Sequence, residues 1–134
     1  MTDSPGLDCP GDLRYTRDHE WARVEGAEAT MGITAYAQGE LGDIVFVDLP
    51  KIGVKLAQFA KLGEIESVKT VSDIFLPLGG EIIAVNTRLK QEPELVNRDP
   101  YGEGWMVKLR LDDEGQAAKL LPASDYQRLL ANAH

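Results

Sequence analysis

The chain predicts a mainly β fold, a sandwich or barrel with a small helical cover at its C-terminal end. Three observations point there. From Tyr15 onward, short apolar stretches are punctuated by glycine at close intervals. Trp105, Val107, Leu109 and Leu111 alternate with Met106, Lys108 and Arg110, the period-two signature of a half-buried strand. Beyond Leu111 the period lengthens: Ala117, Leu120 and Leu121, then Tyr126, Leu129 and Leu130, fall at helical spacing.

The elements follow in order. Residues 1–12 are rich in Pro, Gly and Asp and read as a loose, flexible leader. Residues 13–134 read as one domain, since no long linker interrupts them. Glu20–Glu25 and Glu28–Ile33 form a hairpin through Gly26 and Ala27. Thr34 caps a short helix whose apolar side is Tyr36, Ala37 and Leu41, and Gly42 ends it. Asp43–Leu49 is β-branched and aromatic between Gly42 and Pro50, and predicts a buried strand. Ile52–Leu56 and Lys61–Ser67 are further extended pieces. Val71–Leu76 and Glu81–Val85 follow, with Gly79-Gly80 turning the chain between them. Asn86–Gly104, dense in Pro, Gly and Asn, predicts an ordered surface loop with one helical turn near Glu94–Val96. Asp112–Leu121 and Ser124–Ala133 predict helices, the last capped by Ser124 or Asp125. His134, the terminal residue, is expected to be disordered.

With 134 residues the chain is long enough for one buried core, and 43% apolar with 27% charged is the balance of a globular protein. Fourteen Lys and Arg against 22 Asp and Glu leave a net charge of −8. That excludes nucleic acid as a natural partner, because phosphate binding needs a basic face, and it disfavours an anionic membrane. No apolar run approaches the roughly 20 residues of a spanning helix. The first residues lack the basic and apolar parts of a signal peptide, so a cytoplasmic, soluble protein is expected.

The rare residues exclude more. A single cysteine, Cys9, makes no internal disulfide and has no CxxC partner, so it reads as a tail thiol without a role. His19-Glu20 begins like a zinc-protease helix, but the residue four after His19 is Arg23. No His, Cys or carboxylate set has metal-ligand spacing, and no metal site is predicted. Gly102-Glu103-Gly104 runs into Trp105-Met106-Val107, which breaks the dinucleotide pattern. A chain this poor in nucleophiles and bases reads as one that carries a reactive group. It does not read as one that makes its own.

The informative segment is Glu64-Ile65-Glu66-Ser67-Val68-Lys69-Thr70-Val71-Ser72-Asp73-Ile74. Strand-like stretches flank Lys69 on both sides, which places it at or beside the tip of a tight hairpin with its amine in solvent. Glu66 stands three before it and Asp73 four after. On composition alone such a lysine is an ordinary solvated residue.

Several ordered blocks go further. They are Tyr15-Thr16-Arg17-Asp18-His19-Glu20-Trp21, Gly32-Ile33-Thr34-Ala35-Tyr36-Ala37-Gln38, Leu41-Gly42-Asp43-Ile44-Val45-Phe46-Val47, Glu66-Ser67-Val68-Lys69, and Glu94 through Trp105. In these blocks, over nearly the whole chain, the sequence resembles the H proteins of the glycine cleavage system, small lipoylated carriers related to lipoyl domains. A biotin carrier is disfavoured, because Val68 and Thr70 stand where that family has methionines.

The resemblance implies a lipoyl-domain-like sandwich, or barrel-sandwich hybrid, with a short helix after the first hairpin and C-terminal helices. It implies that Lys69 takes lipoate in amide linkage. Glu66 matches the acidic residue read by the lipoyl-attaching enzymes, a lipoate ligase or lipoyl transferase, and Gly53 matches a glycine that helps present the hairpin, or simply makes a turn. Glu20 and Asp73 match residues lining a cleft into which the methylamine-loaded arm folds. The alternative for both is ordinary exposed acids. Trp21 is expected to pack in the core. The implied partners are a pyridoxal-phosphate glycine decarboxylase that loads aminomethyl, a tetrahydrofolate-dependent aminomethyltransferase that releases ammonia, and dihydrolipoamide dehydrogenase, which reoxidises the dithiol. The carrier catalyses none of these steps, and visiting several enzymes is best done as a monomer.

Three departures stand out. Ala57-Gln58-Phe59-Ala60 lacks the glycine common in that turn, Ala35 replaces an acid, and the leader with Cys9 has no counterpart. They admit a rival within the same fold, an H-like lipoate-binding protein that carries sulfur for a heterodisulfide-reductase-like complex. From other classes come a non-modified interaction module and a true enzyme. The last is weakest, given the missing catalytic groups.

Overall fold

The structure is a computed structural model that describes residues 9–132. The chain runs β1 (Arg14–Tyr15), β2 (Glu20–Glu25), β3 (Glu28–Ile33), α1 (Ala35–Leu41), β4 (Ile44–Asp48), β5 (Lys55–Leu56), β6 (Lys61–Ser67), β7 (Val71–Phe75) and β8 (Gly80–Val85). A 3-10 turn at Thr87–Lys90 and α2 (Leu95–Arg98) lead to β9 (Val107–Leu111). A second 3-10 turn at Glu114–Lys119, β10 (Leu121–Pro122) and α3 (Ala123–Ala131) complete it. A seven-stranded sheet in the order β10-β1-β2-β3-β9-β8-β5 packs on a three-stranded sheet, β4-β6-β7. All pairings are antiparallel. The fold is the predicted β-sandwich.

The main core lies between the sheets. Met31, Ile82 and Leu109 of the large sheet meet Val47, Ile65 and Ile74 of the small one. Burying an Ile is worth roughly 2 kcal/mol, so Ile65 and Ile74 anchor both strands of the β6–β7 hairpin. Gly63 lets β6 cross β4 closely: a Cβ there would fall inside the Asp48 carbonyl oxygen. A second cluster, Leu13, Tyr15, Trp21, Tyr126 and Leu130, fastens α3 to the first strands. Tyr15 and Tyr126 stack there at 4.6 Å between centroids. Trp21 is fully buried, as expected, and its indole N–H donates to the Pro100 carbonyl at 3.0 Å.

Several expectations need correction. The strand predicted as buried over Asp43–Leu49 is an edge strand, with Val45 48% and Phe46 51% exposed. A bulge between Ile44 and Phe46 turns two consecutive residues outward. Ile52–Leu56 shortens to Lys55–Leu56, because Gly53 (φ +97°) turns the chain first. Gly80 belongs to β8 and not to the turn. The loop after Asn86 holds a 3-10 turn besides the predicted helical one. Met106 is buried although the alternation pointed it outward. Its N–H donates to the Met31 carbonyl before β9 begins, while Asn86 holds the Trp105 carbonyl.

Near the C-terminus, Asp112–Leu121 forms only a 3-10 turn, with Asp113 accepting from the Gly115 N–H, and then a strand against β1. The last helix springs directly from that strand, so Pro122 takes the N-cap position, and neither Ser124 nor Asp125 does. Of the predicted leader, residues 1–8 lie outside the described residues, as does His134. Residues 9–12 are not loose: the Tyr15 hydroxyl donates to the Pro10 carbonyl at 2.6 Å and Cys9 packs on the aromatic cluster.

Candidate functional site

The hairpin tip is Val68-Lys69-Thr70, and one side chain organises it. The Ser67 N–H donates to the Thr70 carbonyl at 2.8 Å. Its hydroxyl oxygen accepts from the amides of Lys69 and Thr70 at 3.2 and 3.1 Å. Ser67 is buried, so the turn is held from beneath while Lys69 stands exposed above it. A further bond, from Val68 N–H to the Asp43 carbonyl at 3.0 Å, ties the tip to the start of β4. The lysine stem leans to that side, with Lys69 Cε 3.6 Å from where a Gly42 Cβ would stand.

Asn97 secures the same corner. Its amide donates to Gln38 Oε1 and to the Gly42 carbonyl, both at 2.9 Å, and its oxygen accepts from the Ile44 N–H at 2.9 Å. One side chain thus joins α2, the end of α1 and the start of β4. Sequence reasoning assigned Asn97 no role, although it lies in a recognised block. A polar residue inside a buried helical turn (Leu95 and Val96 are buried) is the signal that marks it.

Register settles what surrounds the tip. Phe46, Glu66 and Val71 lie side by side across the outer face of the small sheet. Asp48, Glu64 and Asp73 form the next row, with Lys61 bridging Glu64 at 2.8 Å and Asp73 at 3.3 Å. Glu66 is exposed beside the tip. The lysine therefore rises from a surface both apolar and acidic: Val68 is 69% and Val71 57% exposed.

Glu20 is not an exposed acid. It is 2% exposed, accepts from the Thr16 hydroxyl at 2.5 Å and from the Phe75 N–H at 3.1 Å, and so bonds β2 to the margin of β7. Burial raises its pKa to about 7 against those two hydrogen bonds, which favour the anion. Asp73 is half-exposed on the same strand, two residues before Phe75. The structure therefore brings Glu20 and Asp73 to one strand, the first beneath it and the second outside.

Gly53 is placed elsewhere. Asp48 pairs with Glu64, and the chain continues away from the tip before reaching the Gly53 turn, whose N–H donates to the Ile82 carbonyl at 2.8 Å. With φ at +97° it is a turn position that favours glycine. His19 also has a positive φ, +73°. Its Nδ1 is 2.8 Å from the Tyr126 hydroxyl, which is 2.8 Å from Thr34 Oγ1. Burial lowers the His19 pKa and raises that of Tyr126. The neutral ring, the Tyr126 hydroxyl and the Thr34 hydroxyl form one hydrogen-bonded chain whose direction follows the ring tautomer. The network docks α3 against the cap of α1.

Among the described residues no group of three His, Cys, Asp or Glu side chains could hold a metal, and no helix is long and apolar enough to cross a membrane. What the tip offers chemically is one accessible primary amine on a rigid turn.

Comparison with known proteins adds the following. Residues 13–133 match the family model described as Glycine cleavage H-protein. A glycine cleavage system H protein of Symbiobacterium thermophilum is 51% identical over 87% of this chain and 91% of its own length. One of Salinibacter ruber is 53% identical over 90% of this chain and 97% of its own. The crystal structure of a glycine cleavage system H protein from Mycobacterium marinum superposes with a TM-score of 0.83 at 41% identity, covering 91% of this chain and 98% of that one.

Proposed function

Because this chain belongs to the glycine cleavage H-protein family, we propose that its work as the lipoyl carrier of that system is done from Lys69. The sulfur-carrying alternative finds no support in these relatives, which bear the glycine cleavage name. The observation that carries the assignment is the exposed Lys69 amine on a turn locked by buried Ser67. An attaching enzyme needs a nucleophilic amine that protrudes while its backbone stays still, and this tip meets both needs.

The residues present fit an amide-linked lipoyl group. Lipoate, once attached, supplies a disulfide that opens to a dithiol, the redox sulfur chemistry this chain's own side chains do not provide. Lys69 gives up its charge on acylation. Glu66, exposed one strand position below the tip, is the acid an attaching enzyme reads. Asp73 places a carboxylate on the flank of β7, where it faces a cationic amine favourably. Glu20 supports that flank by holding the Phe75 amide. Gly53, remote from the tip, shapes the β4–β5 turn.

In this reading the partners are glycine decarboxylase, aminomethyltransferase, dihydrolipoamide dehydrogenase and a lipoate ligase or transferase, met in the cytoplasm. The chain itself catalyses none of their steps. Intact mass after incubation with lipoate, ATP and a ligase tests the attachment. The mass is expected to rise by one lipoyl group, and Lys69→Arg to abolish the rise. An unchanged mass for the native chain would restore the non-modified interaction module. Supporting glycine–bicarbonate exchange by glycine decarboxylase tests the pathway, and failure of the lipoylated chain there would refute it.

A further inference from the structure

The two flanks of the small sheet differ in chemistry. Along β4 runs a groove of about 780 Å³ lined by Phe46, Leu49, Ile52, Val85 and Leu89. Two of its apolar side chains are open to solvent over a floor that includes the buried Leu89: Phe46 is 51% and Ile52 67% exposed on a chain of net charge −8. Its rim carries Lys51 and Lys90 against the single carboxylate of Asp48.

The tether reaches it. Phe46 pairs with Glu66, three residues before Lys69. Three extended residues and one strand spacing place it at most about 15 Å from Lys69. A lipoyl-lysine side chain spans about a dozen bonds from its Cα to the nearer sulfur, also about 15 Å when extended. The lysine stem already points to this flank, its Cε lying over Gly42 immediately before β4.

We propose that the groove between β4 and the Thr87–Lys90 turn is a seat for the uncharged lipoyl arm, distinct from the acidic β7 flank. The proposal rests on the carrier reading of Lys69. An eight-carbon chain ending in a dithiolane is apolar and gains by covering Phe46 and Ile52. A protonated aminomethyl amine is disfavoured beside Lys51 and Lys90, whereas the β7 flank offers it the carboxylates of Asp73 and Glu64 against the single cation of Lys61. Loading would therefore move the arm from one flank to the other, and the seat would sort the carrier's states by charge alone.

The test uses the full chain, isotopically labelled, with intact mass establishing that lipoate is attached. Comparing spectra before and after attachment, resonances of Phe46, Ile52 and Leu89 are expected to shift, with nuclear Overhauser contacts from dithiolane protons to Ile52 and Leu89 methyls. Ile52→Glu, at a position 67% exposed, is expected to erase the Phe46 and Leu89 shifts while leaving the mass increase intact. A small phosphine should then reduce the dithiolane severalfold faster on Ile52→Glu than on the native chain. Shifts confined to residues 67–71 on a lipoylated chain, or the same shifts in Ile52→Glu, would overturn the seat but not the carrier. No mass increase would overturn the carrier reading, and the seat with it.

Discussion

Replacing Glu20 by glutamine isolates what a buried carboxyl costs this fold. Glu20 is 2% exposed, and burial lifts its pKa from the ordinary 4.5 to about 7. The folded value exceeds the unfolded one, so the protonated form is the one the fold prefers. That preference is fully present below pH 4.5 and is lost as pH rises through 7. At 1.36 kcal/mol per unit, the whole gap is worth about 3 kcal/mol, of which about 2 kcal/mol falls between pH 5.5 and 8. Glutamine keeps the acceptor for Phe75 N–H and cannot ionise. Urea unfolding at pH 5.5 and 8 is the assay, with the native chain and Glu20→Gln compared at each pH. Two other pH effects act on both proteins and cancel in the comparison. The growing negative charge destabilises them as pH rises, and His19, whose pKa burial lowers, destabilises them as pH falls. The variant is expected to gain about 2 kcal/mol on the native chain between the two pH values. Parallel pH dependences would refute the claim that burial of the Glu20 carboxylate beneath β7 outweighs its two hydrogen bonds.

Three further outcomes are expected. Asn97→Ala removes three hydrogen bonds at the α1–β4 corner and is expected to cost about 2–3 kcal/mol by urea unfolding, with broadened Val68 and Lys69 amide resonances. Phe59, at φ +66°, pays the left-handed penalty of a side chain, so Phe59→Gly is expected to shift stability by less than about 1 kcal/mol, where trimming a well-seated phenylalanine costs about 3 kcal/mol. A larger loss on thermal melting would show that its packing outweighs the strain. With net charge −8 and the acids Glu66, Asp48, Glu64 and Asp73 below Lys69, association with partner enzymes is expected to weaken as salt rises from 0.05 to about 0.5 M. Titration by calorimetry at several salt concentrations checks it.

The hairpin strands, the first helix and the place of Lys69 at the hairpin tip were legible because each is announced locally, whereas the role proposed for that lysine came from resemblance alone. Thr34 and Gly42 bracket α1, and Ile65 and Ile74 fall on the inner face of their strands. Less legible were features set by distant chain. The bulge that exposes Val45 and Phe46 depends on β6 lying opposite, and the same apolar run reads as buried when the partner is unknown. Met106 turns inward because Met31 and Asn86 meet the chain before β9 starts, so its apparent phase misleads. Leu121–Pro122 is a strand only because Arg14–Tyr15 supplies its ladder. At the site, resemblance pointed to Glu20 but not to its burial, which follows from Thr16 and Phe75 enclosing it from opposite directions.

The bonds that Asn97 and Glu20 make carry a consequence for the company this chain keeps. The small sheet ends in β4 on one side and β7 on the other, and an open strand invites another chain to add itself by main-chain pairing. On β4 the Ile44 N–H is already taken by Asn97, and the bulge beside it breaks the regular spacing. On β7 the Phe75 N–H is taken by Glu20. A second copy laid along either strand meets a blocked donor at the place where pairing would begin. Asn97, which steadies the corner beside the lysine, and Glu20, at the far end of β7, thus also discourage the sheet from growing by edge pairing.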